Sequence, residues 1–128
     1  MDALVKAALE VRQRAYAPYS NHPVGAAIRD DAGQVHVGAN VENAAFPQGQ
    51  CAEASAIGAM IAGGGRRIVA IAIAGPGPQL CTPCGGCRQR IREFATSETL
   101  VMVADPTGLQ QTFTLGELLP AAFGPQNL

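Results

Sequence analysis

The chain predicts a layered α/β fold, and three observations predict it. Residues 68–74 (Ile-Val-Ala-Ile-Ala-Ile-Ala) and 99–104 (Thr-Leu-Val-Met-Val-Ala) are short, unbroken apolar runs, the signature of strands buried on both faces. Segments with helical spacing of apolar residues precede and separate them. Near the start, Asp30-Asp31-Ala32-Gly33 joins two strand-like pieces as the turn of a β-hairpin. Strands alternating with helices must bury their apolar faces against one another, which gives a layered sandwich opening with a hairpin.

Each element follows in order. Residues 2–14 place Leu4, Val5, Ala8, Leu9 and Val11 on one helical face, with Pro18 as the stop. Residues 24–29 and 34–40 are the hairpin strands. His36 lies between Val35 and Val37 and is expected to face outward. Residues 42–50, with Pro47 and Gly49, form a loop. Residues 51–62 are Ala-rich, with Ile57 and Ile61 at helical spacing, and Gly63-Gly64-Gly65 ends the helix. The first apolar strand follows, then a Gly75-Pro76-Gly77-Pro78 loop. A second short helix spans 84–95 and the second apolar strand follows it. Residues 112–123 suggest a short final strand and a helical turn around Leu115, Leu118 and Leu119. With no repeat and no low-complexity linker, the chain reads as a single domain, 1–128.

Composition removes several classes of function. A net charge of −1 and the absence of basic runs give no bulk attraction for nucleic acid or anionic lipid. No stretch approaches eighteen uninterrupted apolar residues and no charged-then-apolar signal opens the chain, so no membrane partner and a cytoplasmic location are expected. In that compartment four cysteines suit metal binding better than disulfides.

The chemistry sits in two motifs, Cys51-Ala52-Glu53 and Pro83-Cys84-Gly85-Gly86-Cys87. Three thiolates are one ligand short of the tetrahedral set zinc prefers, and a catalytic zinc keeps that fourth position for water. Glu53 stands two residues from one ligand, where a carboxyl could move that water's protons. Cys84 and Cys87, three apart, share a helix face. Cys51 and Glu53, two apart, converge only if the metal lies off the N-terminal end of their helix. Pro83 likewise suits a helix start. Two helix N-termini aimed at one ion would favour anionic sulfur.

These residues resemble the cytidine deaminase family, in its short three-cysteine type. The likeness extends through Tyr19-Ser20-Asn21-His22-Pro23-Val24-Gly25-Ala26-Ala27, Gly38-Ala39-Asn40-Val41-Glu42-Asn43-Ala44, Pro83 to Gln89, Arg92-Glu93-Phe94 and Leu118 to Phe123. The resemblance implies a three-layer α/β/α sandwich around a mixed five-stranded sheet. It implies zinc on Cys51, Cys84 and Cys87, with Glu53 as proton shuttle in hydrolytic deamination of cytidine and 2′-deoxycytidine. Asn40 and Glu42 would hold the sugar hydroxyls, the Ala52 backbone would meet the base edge, and His22 would lie beside sugar and base. Gln89 would support a zinc thiolate. Phe123 would reach a neighbour's site in a homotetramer acting in pyrimidine salvage.

Three residues depart from the family's pattern. His22 stands where the family usually has Phe, Ala54 where the short type has Arg, and Cys81 is extra. Two other readings follow. One keeps the chemistry but takes an N4-substituted cytidine or a cytosine-containing antibiotic such as blasticidin S. The other is a non-enzymatic zinc-stapled binding protein with Cys81 as fourth ligand.

Overall fold

A computed structural model describes residues 2–128. The elements are α1 (Ala3–Arg12), β1 (Gly25–Asp30), β2 (Val35–Ala39), α2 (Ala52–Ala62), β3 (Ile68–Ala74), α3 (Gly85–Phe94), β4 (Leu100–Asp105), β5 (Gly108–Thr114) and α4 (Leu115–Leu118). Five strands form one mixed sheet in the order β2-β1-β3-β4-β5. The β3–β4 pair is parallel and the other three are antiparallel. Parallel neighbours need a crossover, and α3 lies on it.

The two sheet faces are packed differently. On one, Leu4, Val5 and Ala8 of α1 meet Ala27, Ala70, Ala72, Ala74 and Met102. On the other, Ala56, Ile57 and Met60 of α2 and Ile91 of α3 pack on Ile28, Ile71, Ile73 and Val101, with Leu115 of α4 at the margin. Helices on both faces of a mixed five-stranded sheet make the expected three-layer sandwich. The small side chains of the α1 face let that helix come close. A Cβ on Gly25 would lie 2.1 Å from the Ala8 carbonyl oxygen.

Several boundaries differ from the sequence reading. The helix α1 ends at Arg12, well before Pro18. The chain turns there because Tyr16 takes up a short parallel bridge with Val41 instead. Its start is fixed by Asp2, whose side chain accepts from the Leu4 N–H at 2.7 Å. Strand β5 begins at Gly108, four residues before the expected start, as the return arm of a hairpin with β4. The turn is organised by Asp105, which accepts from the Thr107 N–H at 2.8 Å.

His36 is also corrected. It faces α2 and not solvent, while Val35 and Val37 are the exposed residues of β2. His36 Nε2 lies 2.8 Å from Asp30 Oδ2. Asp30 Oδ1 accepts from the N–H groups of Ala32 and Gln34, both at 2.9 Å. The His36 hydrogen bond chiefly, then these backbone donors, hold the Asp30 carboxyl below its ordinary value of 3.8. A carboxyl whose folded pKa is depressed stabilises the fold above its unfolded pKa, and that stability is lost as pH falls through the folded value. Asp30→Asn is therefore expected to be less stable than wild type at neutral pH. The gap should begin to narrow below about pH 4, where the unfolded chain protonates, and close only as pH falls through the lower folded value. Urea midpoints across pH 3–7 would show it, and a gap constant with pH would refute it.

Candidate active site

Cys51 and Cys84 occupy equivalent places, each the residue capping a helix N-terminus, of α2 and α3 respectively. Both have extended backbone, with ψ of 154° and 167°, so the chain reverses into the helix there. Gly85 and Gly86 form the first two helical positions of α3, and Cys87 follows on the same turn. Two helix N-termini thus meet, as expected from the placement of Cys51 and Glu53.

The three sulfurs all lie within 4.8 Å of one another. Tetrahedral zinc at a Zn–S distance of about 2.3 Å needs sulfurs roughly 3.8 Å apart, so small side-chain adjustments complete the set. Cys87 is buried, whereas Cys51 and Cys84 are exposed toward a cavity, which leaves one side of the cluster open. The donor set and its open side fit a zinc ion with a free coordination position. Burial raises the Cys51 and Cys87 thiols above their ordinary value of 9.0. The Cys87 backbone N–H lowers Cys84 instead. Metal binding must displace thiol protons, so affinity falls as pH drops.

Glu53 is 5 % exposed, in the first turn of α2. Burial pushes its carboxyl above the usual carboxylate value. Its own backbone N–H and the charge of Arg90 pull it partly back. A carboxyl balanced in this way can accept a proton and return it.

The cavity measures about 390 Å³, the size of a small-ligand pocket. It is bordered by His22, Asn40, Glu42, Cys51, Ala52, Glu53 and Cys84. Seven of the ten residues singled out in the sequence therefore surround one space, and Cys87 lies in the metal cluster beside it. Asn40 and Glu42 also build the wall. Asn40 Oδ1 accepts from the Val24 N–H at 2.9 Å, and its Nδ2 donates to the His22 carbonyl at 3.0 Å. Glu42 Oε1 accepts from the N–H groups of Tyr19 and Ser20 at 2.9 and 3.1 Å, and the Ser20 hydroxyl donates to Oε2. Those donors, the Ser20 hydroxyl first, lower the Glu42 pKa and keep it an ionised acceptor.

Phe123 and Gln89 stand outside the cavity. Phe123 is 58 % exposed, and Gln89 Nε2 donates to its carbonyl at 2.9 Å. Gln89 thus ties down the C-terminal segment and makes no hydrogen bond to a sulfur. Two residues along a helix rotate a side chain by about 200°, so Gln89 leaves Cys87's face, while Arg90, three along, shares it. Arg90 Nη1 lies 3.5 Å from Cys87 Sγ. Sequence reasoning missed Arg90, although its spacing from Cys87 was the available signal.

Cys81 does not join the metal cluster. Its sulfur lies 3.7 Å from His22 Nε2, and its Cβ packs where a side chain on Gly75 would sit, 2.4 Å from that position. Burial, chiefly, pushes its thiol up to about 11. Cys81 and His22 together form part of the cavity wall.

The "Cytidine and deoxycytidylate deaminase zinc-binding region" family matches residues 1–103. A cytidine deaminase of Halalkalibacterium halodurans is 39 % identical over 125 residues, covering 98 % of this chain and 95 % of that protein. The crystal structure of cytidine deaminase from Burkholderia pseudomallei superposes with a TM-score of 0.89 at 41 % identity, covering 94 % of this chain and 97 % of that one. Cytidine deaminase from Mycobacterium tuberculosis gives 0.83 at 39 % identity, covering 94 % of each chain. Sequence, fold and a three-cysteine metal centre agree, and this chain belongs to the zinc-binding cytidine and deoxycytidylate deaminase family.

Proposed function

We propose that this protein hydrolyses the 4-amino group of cytidine and 2′-deoxycytidine, giving uridine or 2′-deoxyuridine and ammonia. One observation carries the reading: a buried carboxyl, Glu53, lines the same cavity as the exposed cysteines of an open-sided three-sulfur centre. When bound, zinc supplies a Lewis acid that brings the pKa of water to roughly 7.

The chain's own residues do the rest. Cys51, Cys84 and Cys87 hold the ion. Glu53 takes protons from the attacking water as the C–O bond forms, passing one to N3 and one to the departing nitrogen, so that C4=O forms, the C4–N bond breaks and ammonia leaves. Glu42 keeps lone pairs free beyond its backbone bonds and accepts a sugar hydroxyl, with Asn40 beside it. The N–H of Ala52, in the first turn of α2, is free of the helix ladder and meets the base edge. His22 borders sugar and base.

This reading carries a homotetrameric, cytoplasmic enzyme of pyrimidine salvage that acts on free nucleosides. Support for assembly comes from Phe46 and Phe123, aromatic side chains left 77 % and 58 % exposed, which subunit contacts typically cover. Phe123 would complete a neighbour's site.

The test is an ultraviolet assay of zinc-loaded protein with both nucleosides, together with light scattering. Chelation should abolish conversion and zinc should restore it. Cys81→Ser should keep zinc and at least a tenth of wild-type activity, because its sulfur lies outside the metal cluster. Zinc-loaded protein that leaves both nucleosides intact would overturn the proposal. Loss of zinc from Cys81→Ser would instead favour a closed, four-cysteine structural site.

A further inference from the structure

We infer that Arg90 is the counter-charge of the zinc–thiolate centre, a positioning residue that helps hold the metal by donating to the Cys87 sulfur. The inference rests on the zinc reading above and adds a residue that the family's motif does not include.

The charge count requires such a group. Three thiolates and a divalent ion carry a formal −1, and an ionised Glu53 beside them makes it −2. Cys87 is fully buried, so water cannot solvate its share of that charge. A charge-assisted donor must then replace water.

Arg90 is placed to be that donor. It lies one turn beyond Cys87 on the same face of α3, and its Nη1 is 3.5 Å from the sulfur. A Cβ on Gly86 would be 3.4 Å from that same nitrogen, so the guanidinium lies against the bare backbone of the helix's first turn. The neighbouring arginines have other work. Arg88 donates to the carbonyls of Pro83 at 2.6 Å and Leu118 at 2.8 Å, and Arg12 to that of Pro23 at 3.0 Å. Ala54, directly after Glu53, has no charge to offer.

Groups that support a metal ligand typically change affinity by 10–100-fold when removed. Arg90 is exposed, and solvent screens its charge, which sets the expectation near the lower end, about 10-fold. Its exposure also means that truncation leaves no core cavity.

The experiment compares zinc-loaded wild type, Arg90→Met and Arg90→Lys. Zinc transfer to a competing chelator is followed optically at low and high salt. Arg90→Met should release zinc about ten times more readily. Arg90→Lys, which keeps a point charge, should stay within about threefold of wild type. The difference between Met and wild type should shrink at high salt. Equal zinc retention in Arg90→Met and wild type overturns the inference. So does Arg90→Lys behaving like Arg90→Met, which would make shape and not charge the requirement. If wild type itself binds no zinc, the failure lies with the zinc reading and not with Arg90.

Discussion

Glu53→Gln is expected to keep its zinc, keep its fold and lose deamination by about a thousandfold in kcat, within the 10²–10⁴ that proton transfer by a positioned group supplies. The substitution preserves shape, so no cavity opens in α2. It removes only the ability to cycle a proton. Glu53 ligates nothing in the three-sulfur cluster, so metal content should not change. Stability should move the other way from activity. The folded pKa of Glu53 is raised by burial, so its charged form costs folding free energy at neutral pH. Neutral Gln escapes that cost, and the variant should melt at or above the wild-type temperature. Zinc analysis, kcat and thermal melts on one preparation test all three points. Wild-type kcat in a zinc-loaded variant would remove Glu53 from the mechanism.

What the sequence made legible was whatever one element decides alone. Strand β3 matches its apolar run from Ile68 to Ala74 because Arg66 and Arg67, after three glycines, bound it on one side and a Gly-Pro loop on the other. Cys51 and Cys84 were readable as helix starts because Gly49-Gln50 and Pro83 precede them. What failed needed a second element. Strand β5 lies at the sheet edge, so Gln110, Gln111 and Thr112 carry no apolar alternation to mark it. The flanking valines suggest a solvent-facing His36, yet packing of α2 on the Gly38 side covers the histidine and exposes the valines. Gln89 and Arg90 were separable only by helix rotation. The contact between Cys81 and His22 joins residues 59 apart in sequence, which no local pattern encodes.

Gly38 is where fold and chemistry meet, and Gly38→Ala is expected to damage both. A Cβ there would lie 2.3 Å from the Ala56 backbone nitrogen and 2.7 Å from the Ser55 carbonyl carbon. Both obstacles are helix backbone, which cannot swing aside like a flexible side chain. The helix α2 must therefore lift off β2 or tilt. Overpacking of this kind costs about 1–3 kcal/mol. The larger consequence is geometric. Cys51 and Glu53 ride on α2, whereas Cys84 and Cys87 ride on α3. Displacing one helix by about an ångström would split the proposed ligand set and shift the carboxyl proposed to carry protons, and such an offset can cost roughly 10²-fold in rate. Gly58 supplies the control on the same helix. A Cβ there meets nothing within 4 Å, so Gly58→Ala should stabilise by up to about 1 kcal/mol through helix propensity and leave zinc binding and activity alone. Denaturant midpoints, zinc content and kcat on the two variants separate a general glycine effect from the specific contact. If Gly38→Ala kept wild-type stability and metal affinity, the close seat of α2 on β2 would not be what aligns this site.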